Sequence, residues 1–76
     1  VGISAGYDQS VLRGDPHSGA FSVVYLREGR LQAIDCINQP RDFSQARALL
    51  TVGFYPDPLA LADASTPLKQ VPQRVV

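Results

Sequence analysis

Two strand-like runs joined by a two-residue turn constrain this chain most. Ala20 to Arg27 alternates, with Phe21, Val23 and Tyr25 on one side and Ser22, Val24 and Leu26 on the other. Glu28-Gly29 is the turn, and Arg30 to Ile37 returns as a second strand. Asn38-Gln39-Pro40 then ends the strand abruptly. Proline at a first helical position loses no intrahelical bond, so the corner reads as the start of a helix. An antiparallel hairpin feeding directly into a helix leaves few folds open at this length.

The flanking segments complete an α+β pattern. Ser10 to Arg13 is a short strand around Val11 and Leu12, and Val1 to Ile3 reads as the tail of a strand begun upstream. Gly14-Asp15-Pro16-His17-Ser18-Gly19 is a dense turn signal. After the corner, Phe43, Ala46 and Leu50 repeat at helical spacing as a buried stripe, with Gln45 and Arg47 facing outward. Asp42 lies in the first turn, where the helix dipole favours a carboxylate, and Gly53 is the expected stop. Asp57-Pro58 opens a short turn of helix to Ala62, and Thr66-Pro67 opens another over Leu68 to Val71. Pro72 ends it, leaving residues 72–76 as a loose tail. The expectation is one domain over residues 1–76: a three- to four-stranded antiparallel sheet followed by C-terminal helices.

Composition narrows the chemistry. The 76 residues carry 7 basic and 7 acidic side chains, so formal net charge is zero. A broad nucleic-acid or anionic-membrane surface needs a basic excess and is not expected. Near-zero charge instead favours self-association. One cysteine excludes an internal disulfide and any multi-cysteine metal or iron–sulfur site. No stretch approaches the roughly 20 apolar residues of a membrane-spanning helix. A cytoplasmic setting is the expectation. The chain starts at Val1 rather than methionine and is expected to be a fragment or a processed product.

Several residues invite chemical readings. Gly2-Ile3-Ser4-Ala5-Gly6 spells a nucleophile elbow, but an elbow needs a preceding buried strand and a following helix. Neither is evident, so Ser4 is read as non-catalytic. His17 reads as a solvated hairpin tip, with no second histidine to share a metal. Cys36, facing with Ile34 and Gln32, reads as a buried, inert thiol. Asp35 alternates with Leu31, Ala33 and Ile37, so one acid lies on an otherwise apolar face. It is expected to pair with Arg13, Arg30 or Arg41, or to accept backbone N–H groups. Arg13-Gly14-Asp15 spells an adhesion tripeptide and reads as a turn. Asn38 to Arg41 is either a capped corner or a rigid platform presenting polar side chains for docking. Asn38, Gln39 and Arg41 are the docking candidates. No catalytic, metal-binding or cofactor-binding residue is expected.

Gly6-Tyr7-Asp8, Arg13-Gly14-Asp15-Pro16, Phe21 to Leu26, Gly29 to Phe43 and Pro67-Leu68-Lys69 stand in an order that resembles one family. It is the C-terminal interface or dimerisation domain of FAD-dependent NAD(P)H–ferredoxin reductases, of the rhodocoxin and putidaredoxin reductase type. The resemblance implies a domain that packs on FAD and NAD domains of a parent chain. Its edge would help to form the surface where a [2Fe–2S] ferredoxin docks. Asn38-Gln39-Pro40 stands where the family has Asn-Arg-Pro, so a charge-based role does not carry over to Gln39; Arg41, Asp42 and Phe43 match directly. The family's Trp-Ser segment, which reaches the flavin, has no counterpart here, nor does a G-x-G-x-x-G fingerprint. The implied parent uses FAD and NAD(P)H to feed an oxygenase, whereas this segment binds neither cofactor. The rival reading is a freestanding binding or regulatory module without a redox role. With the first strand cut at Val1, an open edge and an uncovered face would promote self-association.

Overall fold

The computed structural model describes residues 2–74. Its element order is β1 (Gln9–Asp15), a 3₁₀ turn (Pro16–Ser18), β2 (Ala20–Arg27), β3 (Arg30–Ile37), α1 (Pro40–Val52), α2 (Pro58–Leu61) and a second 3₁₀ turn (Leu68–Gln70). The strands form one antiparallel sheet in the order β1-β2-β3. The β2–β3 hairpin closes with Glu28 at φ 51° and Gly29 at φ 82°. Positive φ at both centres gives the turn the hand of twisted strands, and glycine takes its place at least cost.

The hairpin carries one irregularity. Tyr25 pairs with Ala33 but Leu26 pairs with Leu31, leaving Gln32 as the extra residue of a bulge. The bulge moves Leu31 onto the core side, where it is buried beside Val24, Leu26 and Ile34. Leu31 therefore does not share a face with Asp35. The Gln32 amide turns outward instead and donates to the carbonyl of Ile3 at 2.9 Å and to that of Ala5. Gly2 makes one isolated antiparallel bridge to Ala33, but no strand forms there among the described residues, and the sheet keeps three strands. Val1 lies outside the described residues.

One face of the sheet holds the core. Val24, Leu26, Leu31 and Ile34 meet Ala46 of α1, with Phe54, Leu61, Leu68 and Val71 from the C-terminal segment. Ala46 and Leu50 of the expected α1 stripe face the core, but Phe43 does not, and Asp42 takes the inward place in the first turn. Asp42 and Ala46 are buried, Leu49 and Leu50 pack at the core margin, and Phe43 remains 43% exposed. Spacing alone does not set this phase, because an aspartate with a buried partner occupies the inward position. Gly53 ends α1 with φ 83°, its N–H bonded to the Leu49 carbonyl. The last turn of α1 contains no basic residue. Arg30 of β3 supplies a cation there, its guanidinium 3.6 Å from where a Gly53 Cβ would lie.

The C-terminal segment is more ordered than a loose tail. The Pro72 carbonyl accepts from Asp57 N–H at 2.8 Å, Gln73 bridges to Pro56, and Arg74 N–H donates to the Tyr55 carbonyl at 2.9 Å. Backbone pairing outweighs the fraying expected after Pro72. Val75 and Val76 lie outside the described residues.

Candidate docking corner and its buried anchor

The corner Asn38-Gln39-Pro40 is held from two directions. Asn38 sits at φ 53°, a conformation that asparagine tolerates better than most residues. Its Nδ2 donates to the Gly19 carbonyl at 2.8 Å, tying the corner to the β1–β2 turn. Gln39 occupies the N-cap position without a side-chain cap bond; its carbonyl accepts from Phe43 N–H at 3.1 Å. Neither Asn38 nor Gln39 caps α1 through its side chain, because the Asn38 amide is committed elsewhere. Arg41 is exposed in the first turn of α1.

A shallow groove of about 470 Å³ runs along this corner, lined by Cys36, Asn38, Gln39, Pro40, Phe43 and Ser44. It brings two of the three docking candidates together, and Arg41 lies beside it on the same turn. Phe43 flanks the groove with its ring half-open to solvent, and the Arg47 guanidinium lies 6.0 Å from the ring centroid. The corner therefore offers amide groups, an exposed aromatic ring and cations on a rigid base, a mixture suited to recognising a protein surface. Cys36 is half-buried at the groove wall. Burial pushes its thiol pKa up, with the Asp42 and Asp35 charges adding to the rise, and a Ser22 hydrogen bond offsets only part of it. A nucleophilic thiol needs the opposite shift.

Beside the corner lies a buried ionic network that ties the first turn of α1 to β1, β2 and the 61–66 segment. Arg13 of β1 is fully buried, and its Nε donates to Asp42 Oδ2 at 3.0 Å. Its Nη1 donates to the Leu61 carbonyl at 3.0 Å and the Asp63 carbonyl at 2.9 Å, and its Nη2 donates to the Thr66 carbonyl. Ser22 Oγ donates to the same Asp42 oxygen at 2.9 Å. One guanidinium thus links β1, the first turn of α1 and the 61–66 segment, with a β2 hydroxyl completing the carboxylate's shell. Thr66 serves this network through its carbonyl, not as a cap for the second 3₁₀ turn. Sequence reasoning missed the pairing. The available signal was an arginine sharing a strand phase with Val11, and an aspartate one helical turn before Ala46.

The remaining candidates separate from the corner. Asp35 does not pair with Arg13, Arg30 or Arg41: Arg13 is committed to Asp42, and Asp35 is exposed on the other face of the sheet. It accepts the Tyr25 hydroxyl at 2.8 Å. That hydrogen bond, more than burial or charge, raises the Tyr25 pKa. Tyr7 lies against Tyr25 with ring centroids 4.8 Å apart. Ser4 enters a turn, its carbonyl accepting from Tyr7 N–H at 3.2 Å, with no helix following. His17 is exposed in the first 3₁₀ turn, where its N–H is bonded by Asp15 Oδ1. Among the described residues no group of His, Cys, Asp and Glu could hold a metal.

This arrangement has close counterparts. A family model described as reductase C-terminal matches residues 1–72. The ferredoxin reductase subunit of 5,5'-dehydrodivanillate O-demethylase from a Sphingobium species is 49% identical over 71 residues, 93% of this chain and 17% of the relative. Putidaredoxin reductase from Pseudomonas putida is 39% identical over 71 residues, again 93% and 17%. Rhodocoxin reductase from Rhodococcus erythropolis is 37% identical over 69 residues, 91% and 16%. A crystal structure of a covalent putidaredoxin reductase–putidaredoxin complex superposes with TM-score 0.83 at 40% identity, covering 92% of this chain and 17% of that one. The chain thus spans about a sixth of the length of the relatives it matches. Match length, identity and shared fold together place the chain in the reductase C-terminal family.

Proposed function

We propose that this chain is the C-terminal interface and docking domain of a flavoprotein ferredoxin reductase. The parent would take electrons from NAD(P)H, pass them through FAD, and deliver them to a [2Fe–2S] ferredoxin that serves an oxygenase. The relatives are named as ferredoxin reductases of such systems, which supports the reading. The observation that carries it within the chain is the asymmetry of the sheet. One face has a closed core, while the other leaves Leu12 45% and Ile37 47% exposed, with Phe21, Val23 and Tyr25 only half-covered. An apolar face of this kind belongs against another surface, here the FAD and NAD domains of the parent.

The corner would be the part that meets ferredoxin. Asn38, Gln39 and Arg41 stand at or beside the groove, with Phe43 and Arg47 adjoining. The chain itself would contribute contact and orientation and no redox chemistry. A cytoplasmic setting goes with this reading. Among the described residues no helix is long and apolar enough to cross a membrane.

The test compares two electron acceptors on the native-length protein. Arg41→Glu and Asn38→Ala should raise the KM for ferredoxin, by about 10-fold for the charge reversal. NAD(P)H-driven reduction of a small inorganic acceptor should be unaltered. Unchanged ferredoxin kinetics in both variants would remove the corner from the docking surface. A native protein without bound flavin would remove the reductase reading altogether.

A further inference from the structure

The outer face of the sheet contains one acid. Asp35 lies between Ala33 and Ile37 on β3, opposite Val23 on β2, with Leu12 of β1 across the same face. Tyr25 donates its hydroxyl to Asp35 Oδ2 at 2.8 Å, and no other hydrogen bond or ion pair reaches this carboxylate among the described residues. In water this arrangement costs little. Under a covering protein surface it changes character. A carboxylate offers several acceptor sites, and one neutral hydroxyl satisfies only part of them. A carboxylate withdrawn from water without a counter-charge is strongly destabilising.

We propose that Asp35, oriented by Tyr25, is the charged anchor of this face and receives one guanidinium or ammonium group from the surface that covers the sheet in the native-length protein. The inference rests on the reading of this chain as one domain of a longer reductase. The chain is about a sixth of its relatives' length, which leaves ample protein to supply that surface. Charge complementarity selects its chemistry: an apolar patch with a single Arg or Lys placed over Asp35. Tyr25 is a positioning residue. Its hydroxyl holds one carboxylate oxygen, which leaves the other directed to the incoming cation. The pair gives a slippery apolar contact a defined register, since a displaced cation would strand both charges.

Thiol labelling of the native-length protein tests this. In a Cys36→Ser background, Val23→Cys places a reporter thiol on the face. Maleimide labelling should be slow where the face is covered, and Asp35→Asn should accelerate it about 10-fold or more. Tyr25→Phe should accelerate it less. Labelling of the Val23→Cys thiol at the rate of a free thiol would show an open face and overturn the interface reading, and the anchor with it. A protected thiol that Asp35→Asn leaves unchanged would overturn the anchor alone. Protection that weakens on dilution would identify a second copy of the chain as the cover and also overturn the proposal. A native-length crystal structure with no Arg or Lys nitrogen within about 4 Å of Asp35 would do the same.

Discussion

Arg13 donates to one carboxylate and three carbonyls while fully buried, so its removal strands several acceptors at once. Arg13→Ala should destabilise the domain by about 3–5 kcal/mol, because Asp42 is left as an uncompensated buried charge. Urea unfolding measures this, and a loss under about 1 kcal/mol would mean that water replaces the guanidinium. Arg13→Lys should recover little, since an ammonium cannot reproduce the forked geometry. Cys36 behaves differently. Its thiol pKa is raised chiefly by burial, so alkylation by iodoacetamide at neutral pH should be slower than for a free thiol. Faster alkylation would point to a thiolate stabilised at the groove. The sequence spoke clearly at positions governed by local rules, such as Gly53 and Asp57. It was silent about Arg13 and Asp42, which are 29 residues apart and become partners only when β1 and α1 pack.

At the level of elements, the start of α1 depends on one left-handed residue. Asn38→Gly keeps the φ of 53° accessible and loses only the bond to the Gly19 carbonyl. Asn38→Ala loses that bond and adds a steric cost of about 1–2 kcal/mol. Alanine should therefore be the more damaging replacement in thermal unfolding. Equal effects would place the whole contribution in the side-chain bond. The short helix α2 has a simpler start: Asp57 Oδ1 accepts from Leu59 N–H at 3.2 Å, and Asp57→Ala should cost about 1 kcal/mol. Helix starts at Pro40 and Pro58 were legible because proline and capping residues act within one turn. Ala46 and Leu50 were legible as the inner side of α1, but the first turn was not, because Phe43 outranks Asp42 in hydrophobicity and only the buried guanidinium draws Asp42 inward.

For the whole molecule, acid should loosen the 61–66 segment. The Asp63 carboxylate accepts from Ser65 N–H and Oγ and from Thr66 Oγ1. The Ser65 bonds chiefly hold its pKa below the usual aspartate range. A depressed folded pKa stabilises above the unfolded value, so this contribution is present at neutral pH. It is lost as pH falls through the lower, folded value. Asp63→Asn should flatten the acid limb of the stability profile; an unaltered limb would assign acid sensitivity to other carboxylates. The open sheet face predicts that the isolated 76-residue chain self-associates. Light scattering should find species larger than one chain at high concentration, reduced by Val23→Asp. A single-chain mass throughout would count against that.

What the sequence determined by itself was everything set within a few residues: the strand alternation, the Glu28-Gly29 turn, the Pro40 helix start and the Gly53 stop. These follow from dihedral limits and hydrogen-bond periodicity, which neighbours along the chain decide. Order in residues 72–74, the displacement of Leu31 into the core, the burial of Arg13 against Asp42 and the exposure of Asp35 were decided by tertiary structure. Each depends on which distant surface reaches the residue, since burial and charge compensation are properties of packing.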